Sequence, residues 1–293
     1  MLQFPVSPML LSTKSKPFNS DKYIFEFKWD GYRSITFIKN KNVILQSRNR
    51  NNLSKYFPEL MTIDKNISAN NAILDSEICI LDNKGRPIFN KLQKRFKYNT
   101  SPGKNKTVLI VWDILSYNDK DIYHLPLIER KKYLNDIVKT NKKIIISPFI
   151  NTHGIKLYQK AECENLEGIV AKKISSPYEF KRSKYWYKIK CWQYKNVFIG
   201  GFDKNKNSLA VGDYDCNKKL IYMGKVKLSL SNEMFEALFK FLPSLKKDSS
   251  PFINIMKLQD MNWTQPFLKT KIRYTELTKK NTFRHGYAVE ILY

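Results

Sequence analysis

Tyr23-Ile24-Phe25-Glu26-Phe27-Lys28-Trp29-Asp30-Gly31-Tyr32-Arg33 is the stretch whose reading decides what the rest of the chain must be. Its alternation predicts a strand that delivers Glu26, Lys28 and Asp30 to one side, and Gly31 predicts a turn ending the run. A lysine at a strand end, flanked by an acid and closed by a glycine, is well placed to act as a nucleophile. As an ammonium it is inert, so burial or neighbouring cations must depress its pKa before the amine can attack a phosphorus. A solvated strand edge with an ordinary ion pair is the commoner fate of a lone Lys-x-Asp. The remaining residues therefore have to supply a nucleotide pocket.

The 293 residues suit one large domain or two ordinary ones, with 42% apolar residues for a core. Against 26 Asp and Glu stand 52 Lys and Arg, a net charge of +26. That excess favours a polyanionic partner, nucleic acid first and an anionic membrane second. The chain is also rich in Lys, Asn and Ile together, as an AT-rich coding sequence would make it, yet such drift does not explain a two-to-one imbalance. Cys79, Cys163, Cys191 and Cys216 show no Cys-x-x-Cys spacing and the three histidines are scattered, so neither a disulfide framework nor a zinc site is signalled. This fits a reducing cytosol. No run approaches the roughly 20 apolar residues of a membrane helix, and Met1 to Pro8 lacks the basic start and apolar core of a leader, so a soluble intracellular protein is expected.

In chain order, residues 1–20 read as an irregular lead-in broken by Pro5, Pro8 and Pro17. Ser34–Lys39 and Val43–Ser47 form a predicted hairpin, with Arg48 at its end, a surface arginine unless it is aimed inward at a ligand. In the predicted strand Ile73–Leu81, Asp75, Glu77 and Cys79 share a face, and two carboxylates in a row need a cation or donor between them. They are a modest metal or ribose signal. Phe89–Phe96 reads as a basic helix. Val108–Leu115 is the most apolar strand, expected at the centre of its sheet and closed by Trp112 and Asp113, the tryptophan serving core packing by default. Leu127–Lys139 reads as an amphipathic helix with Glu129-Arg130-Lys131-Lys132 on its wet face.

Glu167-Gly168 precede a short apolar strand, and in Trp186-Tyr187-Lys188-Ile189-Lys190 the tryptophan and both lysines share a face. Two such lysines want a common anion such as phosphate, or else protect an edge strand. After Cys191 come short strands at Asn196–Phe202, Leu209–Tyr214, Leu220–Val226, Thr270–Leu277 and Ala288–Leu292, with a helix near Asn232–Phe241. Five strands and one helix fit a small barrel of the OB type, frequent in nucleic-acid binders. The boundary falls near Trp192, giving domains 1–192 and 193–293.

Taken in order, these blocks resemble the ATP-dependent DNA ligases, and within them the ligase module of the bacterial end-joining enzymes. Six nucleotidyltransferase motifs follow one another: Lys28-Trp29-Asp30-Gly31-Tyr32-Arg33, Ser47-Arg48-Asn49, Leu74-Asp75-Ser76-Glu77-Ile78, Val111-Trp112-Asp113-Ile114-Leu115, Glu167-Gly168-Ile169-Val170 and Trp186-Tyr187-Lys188-Ile189-Lys190. The similarity runs from about Pro8 to Arg284. It implies an α+β fold: a nucleotidyltransferase (adenylation) domain of antiparallel sheets with helices, then a β-barrel OB-fold domain. It further implies that Lys28 forms a lysyl–AMP with ATP, that Glu26 helps to read the adenine amino group, and that Trp112 stacks on the base. Arg48 and Glu77 would hold ribose, Arg33 would approach phosphate or nick, and Lys188 and Lys190 would hold the α-phosphate. Glu167, and more weakly Asp75, would bind Mg²⁺ or Mn²⁺, while Arg182 would contact nick or nucleotide phosphate.

The partner implied is nicked duplex DNA, gripped through backbone phosphates by a monomer in the bacterial cytoplasm, at the nucleoid. A Ku-like end-binding protein and a separate repair polymerase would accompany an end-joining role. One departure stands out: Arg284-His285 match the approach to the last ligase motif, but Leu292 occupies the place of a later arginine, so self-adenylylation is expected to be slow, helped by another cation, or lost. RNA ligation or mRNA capping is the competing enzymatic reading, and a non-catalytic DNA-end binder the competing one from another class.

Overall fold

The computed structural model describes residues 2–98, 106–255 and 258–292. The chain divides into two units, Met1–Cys191 and Trp192–Tyr293.

The first unit contains two sheets. One orders five strands as Leu10–Thr13, Arg182–Lys190, Gly168–Lys173, Ser20–Phe27 and Phe149–Thr152, antiparallel except where Leu10–Thr13 runs parallel to Arg182–Lys190. The other orders Asn42–Ser47, Tyr32–Lys39, Asn71–Leu81, Lys106–Tyr117 and Lys120–Asp121, with Ile144–Ile146 pairing in parallel on Lys106–Tyr117. Side-chain alternation builds three apolar layers from these two sheets. Ile24 and Trp186 of the first sheet meet Ile35, Phe37, Ile73 and Leu115 of the second. On the first sheet's other face, Phe25, Ile169 and Ile189 pack on Leu157 and Ala161 of the helix Gly154–Cys163. On the second sheet's other face, Leu74, Ile78 and Val111 pack with Leu92 of the helix Phe89–Tyr98 and Leu134 of the helix Leu127–Ile137.

Four expectations change. The lead-in is not irregular throughout, because Leu10–Thr13 covers what would otherwise be the edge of Arg182–Lys190. That pairing reaches Lys188 and removes the edge-strand explanation for it. The charged run of the helix Leu127–Ile137 does not lie wholly in water: Arg130 and Lys131 are 0% and 2% exposed. Finally, Gly31 is required by close approach, since a Cβ there would stand 2.3 Å from the Ile78 carbonyl oxygen and 2.7 Å from Glu77 Cγ.

In the second unit, Gln193–Asp203 pairs with Ser208–Tyr214, which pairs with Leu220–Leu228. Tyr287–Leu292 then joins Leu220–Leu228 to Lys269–Tyr274, and that strand returns to Gln193–Asp203. These five strands close a barrel, so their backbone groups are paired all round. Met261–Thr264 and Lys246–Lys247, which the sequence did not suggest, extend from Gln193–Asp203. The helix Asn232–Phe241 starts at Ser231, whose Oγ accepts from the Met234 N–H at 3.3 Å, and it buries Leu238 and Phe239 in the barrel core. The expected strand Thr270–Leu277 breaks after Tyr274, and Glu276–Leu277 pairs instead with Phe283–Arg284. Arg284 is held there by Glu276 at 2.8 Å.

Candidate active site

Register brings the chemistry of the first sheet to one face. Glu26 lies opposite Val170, Val170 opposite Lys188, and Lys172 opposite Trp186. Cross-strand partners share a face, so Glu26, Lys172, Trp186 and Lys188 all look toward the second sheet. Lys28 follows directly on the strand Ser20–Phe27, in the link Lys28–Gly31 that carries the chain across to Tyr32–Lys39 of the second sheet. Its backbone N–H donates to the Gly168 carbonyl at 2.8 Å. Gly168 has φ 139°, and a Cβ there would stand 2.2 Å from the Ile189 oxygen, so only glycine fits beside Glu167.

Between the sheets lies a cleft of about 340 Å³. Of the residues singled out from sequence, Glu26, Lys28, Arg33, Arg48, Glu77, Trp112, Arg182 and Lys188 line it. Two groups of side chains line it. One is aromatic, with Trp112, Trp186 and Val170, and the indole Nε1 atoms of both tryptophans are buried without a hydrogen-bond partner. The other is cationic: among the described residues, no carboxylate pairs with Lys188, Arg48 or Arg182. Burial, then Lys190, Lys28 and Arg182, pull the Lys188 pKa down, as expected of cations crowded without their anion.

Glu167 and Lys190 stand behind Lys28. Lys28 Nζ donates to Glu167 Oε2 at 2.5 Å, and Lys190 Nζ lies 3.2 Å from Glu167 Oε1. Burial, the largest influence on Lys28, works to lower its pKa, but Glu167, with Glu77 and Asp30, outweighs it and the balance is upward. Lys28 in the free protein is therefore a firmly held ammonium. The expectation that burial or neighbouring cations depress its pKa is reversed, because Glu167 takes the ion pair. Glu77 moves the opposite way from most surface acids. Burial, aided by Glu167 and Asp30 against Lys28 and Arg33, pushes it up to about 8, leaving a carboxyl that can both donate to and accept from a hydroxyl.

Asp75 is drawn away from any ligand. Arg33 Nε and Nη2 donate to its two oxygens at 2.9 and 2.5 Å, and the Tyr178 hydroxyl adds a third bond at 2.8 Å. A fully buried carboxylate with both oxygens taken does not fit a metal ligand, and Arg33 is committed to it. Glu26 is likewise buried, held by Lys131 Nζ at 2.5 Å and Lys172 Nζ at 3.0 Å.

Neither lysine was picked out from sequence, although a signal was there. Lys131 sits four residues after Leu127 and three before Leu134, on the buried stripe of its helix rather than the wet side. Nor does the sequence reading of Asp113 as a strand end hold: Lys106–Tyr117 runs on, and Asp113 forms a two-point ion pair with Arg130 at 2.9 and 2.8 Å.

Two buried tryptophans, cations with no carboxylate partner among the described residues and Lys28 line one cleft, whose chemistry suits a nucleotide. Residues 8–190 match the family described as ATP dependent DNA ligase domain, and residues 203–291 match the ATP dependent DNA ligase C terminal region. The chain belongs to the ATP-dependent DNA ligase family. It is 35% identical over 200 residues to the SPbeta prophage-derived DNA ligase-like protein LigB of Bacillus subtilis (strain 168), covering 68% of this chain and 72% of that one. It is 26% identical to the multifunctional non-homologous end joining protein LigD of Pseudomonas aeruginosa, covering 96% of this chain but only 34% of LigD. A solved mycobacterial DNA ligase D complexed with ATP and MES shares the fold, with a TM-score of 0.60 at 23% identity over 98% of this chain and 95% of that one. The nucleotidyltransferase domain followed by an OB-fold barrel is thus the architecture of this chain. No helix among the described residues is long and apolar enough to cross a membrane.

Proposed function

We propose that this chain seals nicks in duplex DNA with ATP, through a lysyl–AMP on Lys28 and then a DNA–adenylate. The observation that carries this reading is that Lys28 shares one cleft with two buried tryptophans and with Lys188, Arg48 and Arg182. The adenine would stack on Trp112, with Glu26 at its amino edge, Arg48 and Glu77 at the ribose, and Lys188, Lys190 and Arg182 at the phosphates. The neutral Lys28 amine attacks the α-phosphorus, a P–N bond forms and the bond to pyrophosphate breaks. The 5′-phosphate of the nick then displaces Lys28 from AMP, and the 3′-hydroxyl displaces AMP from the 5′ end. Positioning and charge stabilisation supply most of what such transfers need.

Among the described residues no three His, Cys, Asp or Glu side chains cluster as a ready-made metal cage. Glu167 would hold magnesium by exchanging a lysine, since Lys28 and Lys190 take both its oxygens; a single carboxylate with phosphate oxygens and water is the way magnesium is ordinarily held. A divalent ion bound there would neutralise charge on the phosphates. The resemblance to LigD supports a role in end joining, where a Ku-like end binder and a separate polymerase would act alongside.

Incubation with labelled ATP should leave label on the protein, and a nicked duplex should then be sealed. A nick with a pre-adenylated 5′ end that stays open would overturn the ligase reading, and faster joining of RNA 3′-hydroxyl strands would shift it to RNA repair. The Lys28–Glu167 pair also predicts a pH profile. A pKa raised by Glu167 leaves the amine protonated until the solution is alkaline, so single-turnover adenylylation should accelerate with rising pH. Glu167→Gln removes the stabilising charge and should move that rise to lower pH, while the plateau falls with the loss of any metal it holds. A plateau loss with no shift would show that Glu167 does not govern the Lys28 proton.

A further inference from the structure

We infer that Lys131 is a positioning residue for base selection, acting through Glu26 without touching the nucleotide; this rests on the nucleotide-cleft reading above. Glu26 ends the aromatic half of the cleft at 1% exposure. A carboxylate so deep in protein needs partners on its oxygens. Two buried lysines supply them. Lys131 Nζ, from the helix Leu127–Ile137, holds Oε1 at 2.5 Å, and Lys172 Nζ, from the neighbouring strand, holds Oε2 at 3.0 Å.

Their parts differ. Lys172 lines the cleft and lies 5.1 Å from the Trp112 ring centroid and 4.5 Å from that of Trp186, so it meets whatever occupies the slot. Lys131 does not line the cleft. Its ammonium lies 5.2 Å from the Phe149 ring centroid, and within the site it acts on the carboxylate. Held by both lysines, the Glu26 carboxylate presents fixed acceptor oxygens. It favours a base edge bearing an exocyclic amino group and disfavours one bearing a carbonyl at the same place, which is the difference between adenine and hypoxanthine. Without Lys131, Glu26 keeps Lys172 alone and gains freedom to rotate, so its acceptor no longer stands fixed against the base edge and the discrimination weakens.

The probes are ATP and ITP, which differ at that edge. Equilibrium titration against full-length Lys28→Ala protein reads binding with no transfer step, so it decides the point even where nucleotide transfer fails. The parent should prefer ATP, and adding Lys131→Met should narrow the ATP-to-ITP preference by about tenfold or more, the scale of one hydrogen bond to a charged group. Lys131→Arg, which keeps the cation, should restore it. In the Lys28-containing enzyme the same change should raise KM for ATP more than KM for ITP. A merely structural lysine would weaken both nucleotides alike. An unchanged ATP-to-ITP ratio in Lys131→Met, or failure of Lys131→Arg to restore a narrowed one, overturns the inference.

Discussion

Lys28→Ala is expected to leave no label on the protein after incubation with ATP, and to lower ATP-dependent sealing by on the order of 10⁴-fold or more, the scale seen when a covalent nucleophile is removed. Nothing else in the cleft replaces it. Lys188 and Lys190 stand on the strand Arg182–Lys190, and Lys190 is engaged by Glu167, while Lys172 is tied to Glu26. The fold should survive the change, because Glu167 keeps Lys190 as a counter-ion and is not left as an uncompensated buried charge. Two readings separate the role of Lys28 from general damage. Thermal unfolding should move little, and sealing of a pre-adenylated nick should persist, since that step starts after the lysine has been discharged. Undiminished labelling of the alanine protein would sink the assignment of Lys28.

The largest effect on stability is expected from Arg130→Met. Arg130 and Asp113 are both fully buried, and Arg130 also donates to the carbonyls of Leu125 and Ser176, so one side chain joins a helix start, a central strand and the loop after Gly168–Lys173. Methionine fills a similar volume but leaves the Asp113 carboxylate without its cation. Breaking a buried pair this way costs about 3–5 kcal/mol. In a unit of this size that is a fall in melting temperature on the order of 10 °C. Lys160→Met, at an exposed pair with Glu164 3.9 Å away, is the contrast and should change stability by less than about 0.5 kcal/mol. Equal losses in the two proteins, followed by thermal denaturation, would refute the special standing of the buried pair.

Much of this architecture was legible in the residues because the apolar runs were distinct. Tyr23–Phe27, Ile73–Leu81 and the barrel strands are short, mostly apolar runs, and the helix Asn232–Phe241 announces itself by a serine cap and an apolar face. Leu10–Thr13 was not legible, since four residues between prolines give no period, and only its partner Arg182–Lys190 makes it a strand. The site divides along the same line. Which residues bear chemistry could be read from their types and order, but which cation neutralises which acid could not. Arg33 with Asp75, Lys131 with Glu26 and Arg130 with Asp113 join residues 42, 105 and 17 positions apart. A charge run such as Glu129–Lys132 looks solvated until a buried acid is known to wait beneath it.

The link Lys28–Gly31 has no slack: its first N–H is bonded to Gly168 and its last residue is wedged against the Ile78 carbonyl. The lysine is thus a fixed address, and its visitors must take turns. Pyrophosphate has to vacate before a 5′ end can enter, and the discharged lysine stays beside the finished DNA–adenylate until the 3′-hydroxyl has reacted. ATP in large excess can reload that lysine after the DNA–adenylate slips out too early, and a reloaded enzyme has no room to take it back. Raising ATP in a sealing reaction should therefore accumulate abandoned 5′-adenylated strands, visible as a band one nucleotide heavier than the substrate, and single-turnover enzyme without free ATP should leave none.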